Sequence, residues 1–181
     1  MSEALLVIDM QADVLAKLVE NAGDVVPNIR RVLKHFRDTG KPVIHVMRVH
    51  RPDGVDVEKF RLRKFEEKPF LVAGSRGAGI IDELAPAEGE YVVEKRRFSA
   101  FFGTELDMIL RRLGVKTLVI AGVQTPNCIR ATAVDAIGYD YDVAVVSDAT
   151  TAKTRKVHEA NLYDMENMGI RTVTTDKLVG R

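Results

Sequence analysis

Large or charged partners find little to hold in this chain. It has 181 residues, with 27 Lys and Arg set against 26 Asp and Glu, so its net charge is only +1. A nucleic-acid binder is expected to show a basic excess or stripe, and no such partner is expected here. Arg61, Arg63 and Lys64 form a small basic cluster, but Glu58, Glu66 and Glu67 flank it, which reads as a solvated face. No apolar stretch approaches the length of a membrane span, so no membrane partner is expected. The one cysteine excludes an intrachain disulfide framework and suits a reducing compartment. Met1-Ser2-Glu3-Ala4 runs straight into an apolar strand, without the basic region, apolar core and cleavage site of a signal peptide, and the expected location is the cytosol. What remains is ordinary globular usage, 46% hydrophobic and 29% charged. The length suits one domain, 1–181, around a single substantial core.

Alternation organises the chain. Strand-like apolar runs fall at Ala4–Asp9, Pro42–Val49, Glu90–Glu94, Thr117–Ala121, Val143–Ser147 and Arg171–Thr174. Helical spacing relates Val25, Ile29, Val32, Leu33 and Phe36, then Leu106, Ile109, Leu110 and Leu113. It recurs in Ile129, Ala133, Ala136 and Ile137, and again in Val157, Ala160, Leu162, Met165 and Met168. Strand and helix in alternation imply βαβ units and a parallel sheet with helices on both faces. His50–Gly79 is the irregular part, long for a connection and mixed in Pro, Gly and charge, as lids and binding loops often are. Within it, Gly74–Gly79 lacks the Gly-Lys-Ser/Thr ending of a phosphate loop and is expected to be a turn into a short helix, Ala78–Leu84.

Ligands of open α/β sheets bind beyond the carboxyl ends of the strands. Asp9 ends the first run, Arg48 and His50 the second, Glu94-Lys95-Arg96-Arg97 the third and Ser147-Asp148 the fifth, while the fourth leads to Cys128. Thr125 suits an N-cap and Pro126 a first helical position, which sets Cys128 in the first turn of a helix, where the dipole favours thiolate. A carboxylate, a lysine and a cysteine thus share one edge of the sheet. The trio has a use: Asp9 takes the thiol proton once burial raises its proton affinity, Lys95 holds the anions, and the N–H groups of Gln124 and Cys128 face an oxyanion. Each residue also has a plainer reading, since a buried cysteine fills space, a strand-end Asp caps a turn and a strand-end Lys is solvated.

Three segments together carry a resemblance: Leu5-Leu6-Val7-Ile8-Asp9-Met10-Gln11, then Glu94-Lys95-Arg96-Arg97-Phe98-Ser99-Ala100-Phe101, then Gly122-Val123-Gln124-Thr125-Pro126-Asn127-Cys128-Ile129 with Ala131–Ala136. In order and spacing the chain resembles the isochorismatase-like cysteine hydrolase superfamily along nearly its whole length. The resemblance implies a three-layer α/β/α sandwich with a mainly parallel six-stranded, Rossmann-like sheet. It implies an Asp-Lys-Cys triad carried by Asp9, Lys95 and Cys128, and a cis peptide between Val123 and Gln124 that aims the Gln124 N–H at the oxyanion. It also points to homodimers or homotetramers, for which the face bearing Leu162, Met165 and Met168 and the last strand are the expected interface.

The departures bear on substrate. Nicotinamidases of this superfamily bind a metal through an Asp-x-His and a further His after the second strand, whereas this chain reads Arg48-Val49-His50-Arg51-Pro52-Asp53-Gly54-Val55-Asp56. No metal and no other cofactor are therefore expected, and nicotinamide is a weak candidate. His35, His45 and His158 fall within helix or strand patterns and are expected to be structural or exposed. The retained cysteine suits acyl chemistry on a small amide or ureide. Gln11, Phe98, Phe101 and the loop after the second strand are expected to shape the pocket, with Arg48 or Arg97 binding a substrate carboxylate. The alternatives are an isochorismatase-type vinyl-ether hydrolase and a catalytically silent binding or scaffold protein.

Overall fold

The computed structural model describes residues 2–17 and 22–180. Six strands form one sheet: β1 (Glu3–Ile8), β2 (Val43–Arg48), β3 (Tyr91–Lys95), β4 (Thr117–Val123), β5 (Asp142–Thr151) and β6 (Arg171–Val173). Their spatial order is β3-β2-β1-β4-β5-β6, and every pairing is parallel. The helices are α1 (Ala12–Leu15), α2 (Ala22–Asp38), α3 (Leu62–Glu67), α4 (Leu106–Arg112), α5 (Arg130–Gly138), α6 (Arg155–Asn167) and α7 (Thr175–Val179).

The two-residue period of a strand divides β1 and β4 between two cores. Leu6, Ile8, Leu118 and Ile120 face one side, where α4, α5 and α6 bring Leu110, Ala133 and Met165. Leu5, Val7, Val119 and Ala121 face the other, where α2 brings Ile29, Leu33 and Phe36. That is the three-layer α/β/α sandwich, with the central strands β1 and β4 apolar on both faces because both are covered. Of the residues expected at an interface between copies, Met165 is fully buried in the first core, while Leu162 is half-buried against it.

The chain passes from β1 through β2 to β3 in one direction, then returns to β4 beside β1 and runs through β5 to β6 in the other. The order reverses between β1 and β4, which opens a crevice at their carboxyl ends. At this seam the two backbones come very close. A Cβ on Gly122 would lie 2.1 Å from Ile8 O, and Gly122 has φ +116°, a conformation that side chains disfavour.

Two stretches fold differently from expectation. β5 runs on to Thr151 because its register against β4 jumps: Ile120 pairs with Val145, but Gly122 pairs with Thr150. The extra residues carry Asp148 away from the crevice, where its Oδ1 accepts from Thr175 N and Oγ1 at the start of α7. The helix expected over Ala78–Leu84 is two single 3₁₀ turns, Arg76–Ala78 and Asp82–Leu84. Gly79 between them is extended (φ −70°, ψ 145°) and Ile80 bridges to Gln11, so pairing with the chain after β1 breaks the helix. The segment after β2 holds its own apolar cluster of Val57, Phe65, Phe70 and Leu71, which makes a firm cap beside the crevice. No helix among the described residues is long and apolar enough to cross a membrane.

Candidate active site

Asp9, one residue beyond β1, has φ 55°, while its N–H still donates to Val46 O at 2.8 Å. Aspartate enters this left-handed region more readily than most residues, and here it turns the carboxylate into the crevice. Lys95 ends β3, two strands away in the sheet. Its fully buried side chain reaches across, and the ammonium donates to Asp9 Oδ2 at 2.9 Å, Cys128 Sγ at 3.3 Å and Arg97 O at 3.2 Å. An ammonium has three protons, and all three are committed. Asp9 Oδ1 is buried and, among the described residues, has no hydrogen-bond partner.

Cys128 lies in a π-helical turn, Thr125–Ile129, that leads into α5 and is closed by the Ile129 N–H donating to Gln124 O at 3.2 Å. Such turns favour functional sites because they reposition a side chain within an otherwise helical path. The N-cap position belongs to Gln124 and not to Thr125. Thr125 is buried, and its Oγ1 shares a 2.7 Å hydrogen bond with His158 Nδ1. The Val123–Gln124 peptide bond is cis. Gln124 lines the same cavity as Cys128.

The thiolate expected from the helix start is opposed by the surroundings of Cys128. Burial, and then the charge of Asp9, push the Cys128 thiol up to about 11, against the opposing pull of Lys95 and Arg48. At 5% exposure, desolvation outweighs the dipole of one turn. An acceptor carboxylate and two cations stand around the thiol.

Arg48, at the end of β2 and 2% exposed, supplies the second cation. Its Nη1 donates to Glu58 Oε1 at 2.6 Å and its Nη2 to Cys128 Sγ at 3.6 Å, while its Cζ lies 5.0 Å from the Phe98 ring centroid. The other expected pocket residues divide. Phe98 lines the cavity over the thiol. Gln11 does not: its Nε2 donates to Arg48 O and Ala78 O, and its Oε1 accepts from Arg48 N, so the whole amide is used to fasten the end of β2. Arg97 is turned to the backbone, its Nη1 donating to Asp56 O at 2.6 Å. Phe101 stacks on Tyr139 and Tyr141 in the core.

The cavity above Cys128 has a volume of about 530 Å³. Asp9, Arg48, Gln124 and Cys128 form its floor, and Phe60, Phe70, Leu71 and Phe98 are among its walls. Arg61, Lys64, Lys17 and Lys153 also line it. Sequence reasoning missed these four, and it missed Glu58. Arg61 and Lys64 stand three apart and share a face, whereas Arg63 between them points out to pair with Glu67. That spacing was the available signal, hidden because the cluster had been read as one solvated face.

These residues do not fit the metal of the nicotinamidases. Among the described residues, no group of three or more His, Cys, Asp or Glu side chains is placed to hold an ion. A guanidinium stands at Arg48, and His50 is fully buried with its ring edge-on to Phe65 and Phe70. Burial, the largest influence, lowers the pKa of His50, and Arg48 lowers it further.

Residues 3–177 match the family model of the isochorismatase domain. The chain belongs to the isochorismatase family. A probable inactive nicotinamidase of Arabidopsis thaliana is 45% identical over 94% of this chain and 91% of its own length. The crystal structure of an isochorismatase family protein from Desulfovibrio vulgaris superimposes with a TM-score of 0.91 at 48% identity, covering 99% of both chains. That of an N-carbamoylsarcosine amidase from Thermoplasma acidophilum gives 0.81 at 33% identity over 97% of this chain and 98% of the other. The isochorismatase fold is thus established by sequence and by structure, and its hydrolases include enzymes named for amide substrates.

Proposed function

We propose that this chain is a cysteine hydrolase that cleaves the C–N bond of a small amide or ureide through a thioester on Cys128. One observation carries the reading: a buried lysine ammonium joins a carboxylate and a thiol, Asp9 and Cys128, on the floor of a cavity at the seam where the strand order reverses. A cysteine kept only as filler has no need of a buried ion pair beside it.

The chemistry follows from the positions. As the substrate carbonyl settles over Sγ, Asp9 takes the thiol proton and Sγ attacks the carbonyl carbon. The oxyanion is held by the Gln124 and Cys128 N–H groups. Collapse breaks the C–N bond, and the proton on Asp9 passes to the departing nitrogen, which leaves as ammonia or an amine. Water then attacks the thioester as Asp9 takes one of its protons. The second collapse breaks the C–S bond, releases the acid and returns that proton to sulfur. Lys95 stays charged throughout and offsets the negative charge as it moves between Asp9 and Sγ.

A silent member is the second reading, favoured by the inactivity in the name of the Arabidopsis relative. Intact Asp9, Lys95 and Cys128, with no metal donor set, equally suit an enzyme that ignores nicotinamide but hydrolyses another amide. The deciding experiment is a panel of small amides, ureides and isochorismate scored for ammonia or product release, with intact-protein mass spectrometry after rapid quenching. Ammonia release and an acyl adduct on Cys128, both lost in Cys128→Ala, are expected. Release from an amide by Cys128→Ala at the full rate would overturn the thioester route, and no release from any member would favour the silent reading.

A further inference from the structure

The charges of the cavity floor are already paired. Lys95 is held by Asp9 at 2.9 Å and Arg48 by Glu58 at 2.6 Å. Arg48 has one arm on Glu58 and the other on Sγ, so the sequence expectation that it seats a substrate carboxylate does not match its geometry. Above this neutralised floor stand the cations that line the cavity without such pairing. Arg61 Nη1 is 3.9 Å from Glu58 Oε1, an oxygen already bound at 2.6 Å by Arg48. Lys17, Lys64 and Lys153 have no carboxylate within salt-bridge distance among the described residues.

Two of these cations are held by aromatic rings. The Arg61 guanidinium lies 5.0 Å from the ring centroids of both Phe60 and Phe98, and the Lys17 ammonium lies 4.3 Å from that of Phe70. A ring fixes a cation without cancelling its charge. The crowding is felt at Lys17, whose pKa is lowered by burial and then by Lys64, Arg61 and Lys68, against the contrary influence of Asp13. An anion entering the mouth relieves that repulsion.

We infer that the site takes a small amide or ureide whose far end carries carboxylate groups, seated on Arg61, Lys64, Lys17 and Lys153 at the mouth while the scissile carbonyl rests on Cys128. This rests on the hydrolase reading for the amide end alone; the anion seat stands on the rim itself. The excess of positive charge favours two carboxylates over one. Cationic walls also raise the local concentration of an anionic substrate and speed its entry at low salt.

Calorimetric titration of the Cys128→Ala chain separates binding from turnover. The probes are N-carbamoyl-L-aspartate, N-carbamoylglycine and propionamide, which carry two, one and no carboxylates. Affinity is expected to fall in that order, and the dianion is expected to weaken steeply with added sodium chloride while propionamide does not. Arg61→Gln and Lys64→Gln, both on the cap and outside the triad, should each weaken the dianion about tenfold and leave propionamide unchanged. Equal binding of dianion and neutral amide, or an unchanged dianion affinity in both variants, overturns the inference. Failure of the native chain to release ammonia from an acid amide that binds in this way would leave the anion seat standing and remove the hydrolase reading instead.

Discussion

Arg48 Nη2 lies 3.6 Å from Cys128 Sγ, with its sister nitrogen fixed on Glu58. The guanidinium is thus a fixed positive charge beside the thiol, held from behind by a carboxylate. It supplies, with Lys95, the only lowering influences named above on a thiol that burial drives upward.

The alkylation rate of Cys128 by iodoacetamide should therefore rise with pH to a midpoint near the value of about 11, and not near the ordinary thiol range. Arg48→Gln should move that midpoint higher still. A midpoint at ordinary thiol values in the native chain, or one unmoved in the variant, contradicts this electrostatic account.

Glu58→Ala would leave the Arg48 charge buried without its carboxylate. Breaking a buried pair at one end costs about 3–5 kcal/mol, whereas replacing both ends with apolar residues costs far less. Urea denaturation should show the single variant strongly destabilised and Arg48→Met with Glu58→Leu closer to the native chain. Equal losses in the two would show that the pair is not a unit.

Lys95→Ala should lower turnover by about 10²–10³, the usual consequence of losing a preorganised charge. Lys95→Arg should rescue poorly, because a planar guanidinium does not reproduce three contacts radiating from one nitrogen. Arg96→Ala and Glu94→Gln, which pair with each other at the surface, are the controls and should change little. A Lys95→Ala enzyme with normal kcat and a raised KM would make the lysine a substrate-binding group.

Acid stability should report Glu90. Its carboxyl falls to about 2: burial works to raise it, but the Arg37 guanidinium, the Ala87 N–H and His45 outweigh that. A carboxyl whose folded pKa is depressed stabilises the protein above its unfolded value of 4.5, and that stabilisation is lost as pH falls through about 2. Thermal unfolding should show Tm declining across this window, with a shallower decline in Glu90→Gln.

Gly122→Ala should unfold or inactivate the chain, since the new Cβ meets Ile8 O at 2.1 Å and neither backbone is free to move. Gly89→Ala, also at positive φ (+83°) but in open space, should cost only about 1 kcal/mol. Comparing the two melts by circular dichroism separates the clash from the backbone preference.

Leu5, Leu6, Val119 and Ile120 announced their strands because a residue buried on either face must be apolar. That strand ends gather on one edge put Asp9, Lys95 and Cys128 in one place before any coordinates. The protonation state of Cys128 was not legible, because it depends on burial created by distant segments. Gln11 and Phe101 looked like pocket residues from proximity in sequence, yet the turn after β1 and the packing of Tyr139 and Tyr141 take them elsewhere. Arg61 and Lys64 were misread for the opposite reason. A short helix within a loop gives too few residues for periodicity to reveal which face is inward.

A thiol held near 11 has a consequence for the protein's durability. Raising the thiol pKa disfavours the thiolate, the form that peroxides and other electrophiles attack. The chain has no second cysteine to resolve a sulfenic acid as an internal disulfide, so repair of that first oxidised state would depend on an external thiol. If the proposed route holds, keeping the proton on sulfur until a carbonyl arrives would work as a safety catch. On the proposed thioester route, the substrate would release the nucleophile, which is otherwise withheld from the oxidants that pass between encounters.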